Sequence, residues 1–391
     1  MKTKILFLIL ILFLIGCTSS EKKNTQPDDG AIVIDVNSAL KGEARYIEDM
    51  VESVEVIPLE TTEESIVGDV SNCLVTDNYI FINDLYEHRG GLAMFDRHGK
   101  FIKRFRCGNG PEEIISAFNI FYSNDAIYVG SVKMLYKISL DGKFLGSKEN
   151  EFVPSITKIP DGFLMIQSET MNDDGQFKVI KTDTNLVKIS EHCLDSNPFL
   201  SNTGIDCFDG VNSLIYRFAD NNIYTFSDDG IKVKYRLSYP DFEYQIPYAE
   251  YENLPMEQRL TAASQLLKKI DEDKYIFIGE LLDSDDYLTF YIVNEEDWLP
   301  VLFNKNTGKA FVQEHQHTEP FSPFTFMYRN KYAHITGQKN TFSGILTSSI
   351  AADCCDNNPH NLFSDKDIEV LKNAKEDDNP IVVIYKLKDN L

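Results

Sequence analysis

Two histidines one residue apart, His315 and His317, have the most metal-like spacing in this chain of 391 residues. On a strand, residues i and i+2 point to one face. Two imidazoles placed so suit zinc or copper, and His334 could serve as a third ligand. The segment runs directly into Thr318-Glu319-Pro320, which reads as an exposed loop, and no closed ligand set surrounds it. Acidic runs at Asp283 to Asp286, Asn172 to Asp174 and Glu295 to Asp297 offer the oxygen ligands that calcium prefers. None has the spacing of an EF-hand loop, and solvated turns are the plainer reading. Calcium or another divalent cation in a central channel would need carboxylates from several repeats, and the sequence assigns no cofactor.

Other chemistry is sparser. Gly108-Asn109-Gly110-Pro111 suggests a phosphate loop but lacks the GK[ST] ending and opens no helix. A tight connection, with Gly for positive φ and Pro for rigidity, is the expected role. No G-x-S-x-G elbow and no H-E-x-x-H are present. A carboxylate pair for glycoside cleavage cannot be singled out among 61 acidic residues. One aromatic group lies between the repeats: Phe321, Phe324, Phe326, Tyr328 and Tyr332. It could form an apolar or sugar-stacking patch, or the core of an adjoining repeat. Seven cysteines are present and no CxxC. Among them Cys193 and Cys207, flanking a short loop, are the candidate disulfide pair.

The elements that position these residues begin with a leader. Lys2 and Lys4 precede an unbroken apolar run at 5–15, followed by Gly16 and Cys17. A charged start, a short apolar stretch and a small residue at the cut describe an export signal. Leu14-Ile15-Gly16-Cys17 resembles a bacterial lipobox. The resemblance implies cleavage before Cys17, diacylation of its thiol and acylation of the new amine, and several acyl chains give lasting anchorage. Residues 1–16 are thus read as signal peptide and 17–30, polar with Pro27 and Gly30, as a flexible tether. Residues 31–391 form the folded body.

The formal net charge is −23, and loss of the leader removes two further lysines. Such a surface argues against nucleic acid and against anionic lipid headgroups, and suits basic partners.

Repetition organises the body. An apolar strand, a polar turn and a second strand recur at 92–105, 135–148, 177–190, 223–237 and 300–314. Asp141-Gly142 and Asp229-Gly230 supply the turn chemistry. Asp96, Leu140, Thr182 and Ser227 mark equivalent points, a period of roughly 40 to 45 residues that belongs to four-stranded propeller blades. A second hairpin completes each period at 71–84, 119–131, 155–168 and 266–280. The expected fold is all-β, a six-bladed β-propeller, with seven blades as the alternative count. Blades are expected at about 70–106, 117–149, 154–191, 205–239, 265–314 and 321–349. Residues 255–270 have helical spacing and form a short insertion before blade five. The sixth blade is incomplete, and strands at 32–36, 53–59 and 381–387 are expected to close the ring and remove its open edge.

Three stretches carry a family resemblance: YIEDMVESVEVIPLETTEESIVGDV (46–70), GNGPEEI (108–114) and NPIVVIYKLKDN (379–390). They resemble the six-bladed β-propeller lipoproteins of Bacteroidetes, with NHL-like blades. The usual second motif is GxGPGE, and this chain has Glu112 where that Gly would stand. The resemblance implies a fold and an envelope address, with no established activity. The residues after Cys17, TSSEKK, lack the acidic character of surface-export signals in that group, which favours the outer membrane facing the periplasm.

Two functions compete. One is a non-catalytic scaffold on the cell envelope that binds a protein, a peptide or a glycan through loops on a rigid frame. The other is a metal-dependent hydrolase or lyase at the channel mouth, which rests on fold-level analogy. A third, a sensor partner, would need a transmembrane signalling segment.

Overall fold

The computed structural model describes residues 29–42, 47–85, 91–115, 117–123, 126–131, 133–149, 155–167, 177–194, 204–208, 212–227, 229–239, 248–251, 254–270, 274–294, 298–312, 334–335, 339–351 and 362–389. Strand β1 (Ile32–Asp35), helix α1 (Val36–Lys41) and strand β2 (Val51–Pro58) precede the first blade. Blade one comprises β3 (Val70–Val75), β4 (Tyr79–Asp84), β5 (Gly91–Asp96) and β6 (Phe101–Arg106). Blade two comprises β7 (Ala117–Ser123), β8 (Ala126–Ser131), β9 (Met134–Ile138) and β10 (Phe144–Glu149). Blade three comprises β11 (Ser155–Ile159), β12 (Gly162–Gln167), β13 (Phe177–Thr182) and β14 (Lys188–Leu194). Blade four comprises β15 (Gly204–Phe208), β16 (Asn212–Tyr216), β17 (Asn222–Ser227) and β18 (Gly230–Ser238). Helix α2 (Met256–Leu267) leads to blade five, built from β19 (Ile276–Asp283), β20 (Tyr287–Val293), β21 (Trp298–Asn304) and β22 (Lys309–Val312). Blade six takes β23 (His334–Ile335), β24 (Thr341–Leu346) and, after helix α3 (Asp365–Asn373), β25 (Ile381–Leu387).

The fourth strand of blade six is β2, antiparallel to β25 from Pro58↔Ile381 to Val51↔Leu387. Chain ends therefore meet in one sheet, and the ring closes as a six-bladed β-propeller. Blades six and one are continuous through the parallel pairs His334↔Leu74 and Ile335↔Val75. The strand at 32–36 does something else. It does not close the ring; β1 lies parallel on the outside of β18 as a fifth strand of blade four. Its Ile34, with Val36 and Ala39 of α1, fills the cleft between blades four and five, so burying that apolar side is what draws it there.

Every blade buries both faces against its neighbours. Met94, Phe81 and Phe105 of blade one meet Ile127, Val129 and Tyr136 of blade two. Tyr128 of blade two stacks on Phe121 at 5.4 Å and meets Phe163 of blade three edge-on at 5.5 Å. Tyr235 of blade four meets Phe303 of blade five at 5.9 Å. These rings explain the abundance of Phe and Tyr, since each blade needs a partner to cover it. The turn glycines serve the same seams. Gly142, at φ +79, lies so close to blade one that a Cβ would come within 2.4 Å of Met94 Sδ.

Helix α2 falls where its spacing predicted. Ala263, Leu266 and Ile270 are buried against Phe218, Ile276 and Val293. It caps the ends of blades four and five, and blade five begins only at Ile276, not at 265. Helix α3 was not visible in the apolar periodicity. Its signal is the capping box Ser364–Asp367, in which Asp367 N–H donates to Ser364 Oγ at 3.2 Å. It seats Leu371 against Leu346, Ile381 and Val383 of blade six.

Candidate functional site

The end of the disc at which the innermost strands begin is termed the upper face. It carries the connections between blades, the turns between second and third strands, and helices α2 and α3. Three innermost strands are bulged near this end: β3 at Val70/Asn72, β7 at Ala117/Asn119 and β19 at Phe277/Gly279. Bulges bend a strand and re-aim its side chains. Amide side chains tie the bent strands together. Asn83 Nδ2 donates to Ala117 O at 2.9 Å, and Asn119 Nδ2 to Ile156 O at 2.8 Å. Each bond bridges one blade to the next close to the channel.

Two buried carboxylates of this face, Asp84 and Asp220, are neutralised within the frame. Arg104 Nη1 meets Asp84 Oδ2 at 2.8 Å, with both side chains almost fully buried. The other oxygen of Asp84 accepts from the amides of Gly68 and Asp69 at 3.2 and 3.1 Å. In blade four, Asp220 accepts from Arg217 Nε at 3.0 Å, Tyr224 Oη at 2.7 Å and the amide of Asn222 at 3.0 Å. Burial, then the Asp220 carboxylate, push the Tyr224 hydroxyl well above its usual range. Burial opposes the charge on Arg217, and Asp220 and Tyr224 together outweigh it, so the guanidinium is held more firmly protonated. Both oxygens of this carboxylate are thus committed to partners within the frame.

The loop at 59–69 crosses from β2 to β3 over this face. Asn379 clamps it from the other end of the chain. Its Nδ2 donates to Glu60 O at 2.7 Å and Ser65 O at 3.0 Å, and its Oδ1 accepts from Val67 N at 2.7 Å. Ser65, fully buried, donates to Glu60 O at 2.6 Å. The two stretches VIPLETT and NPIVVIY therefore form one joint.

The loop at 108–114 joins blades one and two. Gly110 N–H donates to Glu113 Oε2 at 2.6 Å. An internal carboxylate thus occupies the place a phosphate would take. A Cβ on Gly108 would meet Glu113 Oε2 at 2.1 Å. Glu112 adopts φ +62, in the left-handed region that favours glycine.

The acidic run at 283–286 corrects the solvated-turn reading. Asp283, Ser284 and Asp286 are buried at the seam of blades five and six, on the lower face. Lys305 pairs with Asp283, and Lys339 with Asp286 at 2.8 Å. Asn340, fully buried, donates to Asp286 Oδ2 at 2.7 Å. Each of the two buried carboxylates is thus paired with an ammonium group. Cys193 is a free, exposed thiol, which removes the Cys193–Cys207 pair. The topology gives the reason, because β14 is an outermost strand and β15 an innermost one.

His334 stands on β23, the innermost strand of blade six. Cys17, His315, His317, Phe321, Phe324, Phe326, Tyr328 and Tyr332 lie outside the described residues, as do the acidic runs at 172–174 and 295–297. Among the described residues, no three His, Cys, Asp or Glu side chains converge as a metal site. No described helix is long and apolar enough to cross a membrane.

Residues 31–386 match the family model described as a domain of unknown function, DUF4934. The chain belongs to the DUF4934 family. A Bacteroides fragilis protein named as exported has the same fold, with a TM-score of 0.68 and 19% identity over 92% of this chain and 100% of that one. A Bacteroides caccae protein of unknown function aligns with a TM-score of 0.37 and 13% identity, covering 63% of this chain and 82% of its own. The virginiamycin B lyase of Staphylococcus aureus aligns at 0.38 and 13%, covering 77% and 83%. Likeness at that level says nothing about the chemistry of this DUF4934 chain. No curated protein of known function matches it.

Proposed function

We propose that this DUF4934 chain is an exported, non-catalytic binding module of the bacterial cell envelope, which presents its upper face to a protein, a peptide or a glycan. The observation that carries the reading is the internal neutralisation of the buried carboxylates of that face. Asp84 is held by Arg104, and Asp220 by Arg217 and Tyr224. Such a frame fixes loops in place and leaves their outer side chains to make contacts. The address is supported by Lys2, Lys4, the apolar run at 5–15 and Gly16-Cys17, together with a fold neighbour named as exported. Lipid on Cys17 would tether the chain to the outer membrane facing the periplasm, as in the NHL-like lipoproteins of Bacteroidetes it resembles.

The test places photo-crosslinking residues at Glu112 and Trp298 on the upper face, and at Asp77 and Asp141 on lower turns, in cells of the producing bacterium. Adducts from the upper pair alone are expected. Adducts from neither pair, or from the lower pair only, would defeat the reading. Fractionation of Cys17→Ser cells tests the tether: the variant is expected to leave the membrane fraction, and retention there would count against lipidation.

A further inference from the structure

Two neighbouring positions on the upper face invert the usual order of burial. Ser65 is wholly buried while Ile66 is 38% exposed, and Asp84 is 2% exposed while Leu85 is 47% exposed. The inward polar groups are explained by the frame: Ser65 bonds Glu60 O and the Thr62 amide, and Asp84 bonds Arg104. The apolar Ile66 and Leu85 are left partly open at the surface.

Arg104 links the two backbone stretches that carry them. Its Nη1 bonds Asp84, the residue before Leu85, at 2.8 Å. Its Nη2 donates to Ile66 O at 2.6 Å. Ile66 N–H donates to Thr62 O at 3.0 Å, and Leu85 N–H to Asp69 O at 2.8 Å. Both backbones are therefore hydrogen-bonded into the frame at these residues, which lowers the ordering entropy lost on binding there.

The surroundings choose the ligand. Glu64 precedes this pair and Asp69 lies beside it, both exposed. The loop at 59–69 contains Glu60, Glu63, Glu64 and Asp69 and no Lys or Arg. Among the described residues, the cation hydrogen-bonded to this loop is Arg104, and it is paired with Asp84. An apolar ridge rimmed by carboxylates repels anionic surfaces and attracts cationic ones.

We propose that the ridge of Ile66 and Leu85, flanked by Glu64 and Asp69, docks a basic amphipathic peptide segment of a partner protein. This rests on the upper face being the binding face. Apolar side chains of the segment would cover the ridge, and its Lys or Arg would meet the rim.

The test titrates the full purified chain into a fluorescein-labelled peptide of about twelve residues, Leu and Lys in amphipathic order, and follows anisotropy. A Ser and Lys peptide of equal charge is the control. The Leu peptide is expected to bind at least about tenfold more tightly than the Ser peptide. Ile66→Ser with Leu85→Ser is expected to remove that difference. Glu64→Gln with Asp69→Asn, or salt raised to about 0.3 M, is expected to weaken binding several-fold. All four positions are exposed, and an unchanged Tm confirms that the variants fold. Equal binding of the two peptides, or binding indifferent to the Ser pair, would overturn the proposal. Upper-face adducts in cells that persist in the Ser pair would overturn it while leaving the binding-module reading intact.

Discussion

The amide of Val67 donates to Oδ1 of Asn379 at 2.7 Å, although the two residues are 312 positions apart. This bond joins the loop that follows β2 to the start of β25, so it locks the same blade that closes the ring. The antiparallel β2–β25 ladder brings the two ends together, and Asn379 holds the exit loop once they meet. A side chain that satisfies three buried backbone groups is not replaceable by packing alone.

Asn379→Ala should therefore destabilise the protein by about 3 kcal/mol, since it removes three hydrogen bonds and takes its partner from the buried Val67 amide. The denaturant midpoint should fall with an unchanged slope. Asn379→Asp should be no better, because its second oxygen would face the carbonyls of Glu60 and Ser65, which now accept from Nδ2. A midpoint within error of the parent for either variant would remove the clamp from the account.

Glu112 occupies φ +62, a conformation that favours glycine. A residue with a Cβ in the left-handed region costs about 1 kcal/mol. Glu112→Gly should stabilise the protein by up to about that amount, with glycine's greater unfolded-state freedom offsetting part of it. Gly108→Ala in the same loop should act oppositely, because its Cβ would collide with the Glu113 carboxylate. Thermal unfolding of the two variants side by side checks both signs.

Blades one to four were legible because each contains two hairpins at a regular spacing, and β3 to β18 fall within a few residues of the expected limits. Blade six was less so. Its four strands come from two ends of the chain, with α3 between β24 and β25, so no continuous period marks it. The role of β1 was hidden for a different reason. IVID reads as a strand in any setting, and only the cleft between blades four and five determines that it pairs with β18. At the acidic run 283–286, composition suggested solvation. What decided burial was Lys305 and Lys339, each brought from a separate turn. Asp84 and Arg104 were equally invisible, since an ion pair between β4 and β6 leaves no local signature.

The cysteines should divide by reactivity. Cys193 and Cys107 are exposed and free, while Cys73 is buried in β3, where desolvation pushes its thiol up to about 12. The thiolate is the reactive form. A maleimide at neutral pH should label Cys107 and Cys193 in the native protein and reach Cys73 only after denaturation. Peptide mapping by mass spectrometry distinguishes the sites. Native labelling of Cys73 would show that blade one opens, and a Cys193 resistant to label would contradict its exposure on β14.

The seam between blades five and six should depend on pH from both sides. Burial alone would raise the Asp286 carboxyl, but hydrogen bonds from Lys339, Asn340 and Asn306 outweigh it and hold it below the usual range. The folded state thus binds that proton less readily than the unfolded chain. Its contribution is complete above about pH 4 and is lost as pH falls through the lowered folded value. Lys339 is shifted upward, first by its bond to Asp286. Its contribution is complete below about pH 10 and is lost as pH rises further. The Tm gap between the parent and Asp286→Asn should therefore be constant from about pH 5 to 9 and shrink on going to about pH 3. If parent and variant instead lose stability in parallel as the pH falls, the carboxylate is not the group that fastens this seam, and the buried amide of Asn340 holds it without charge.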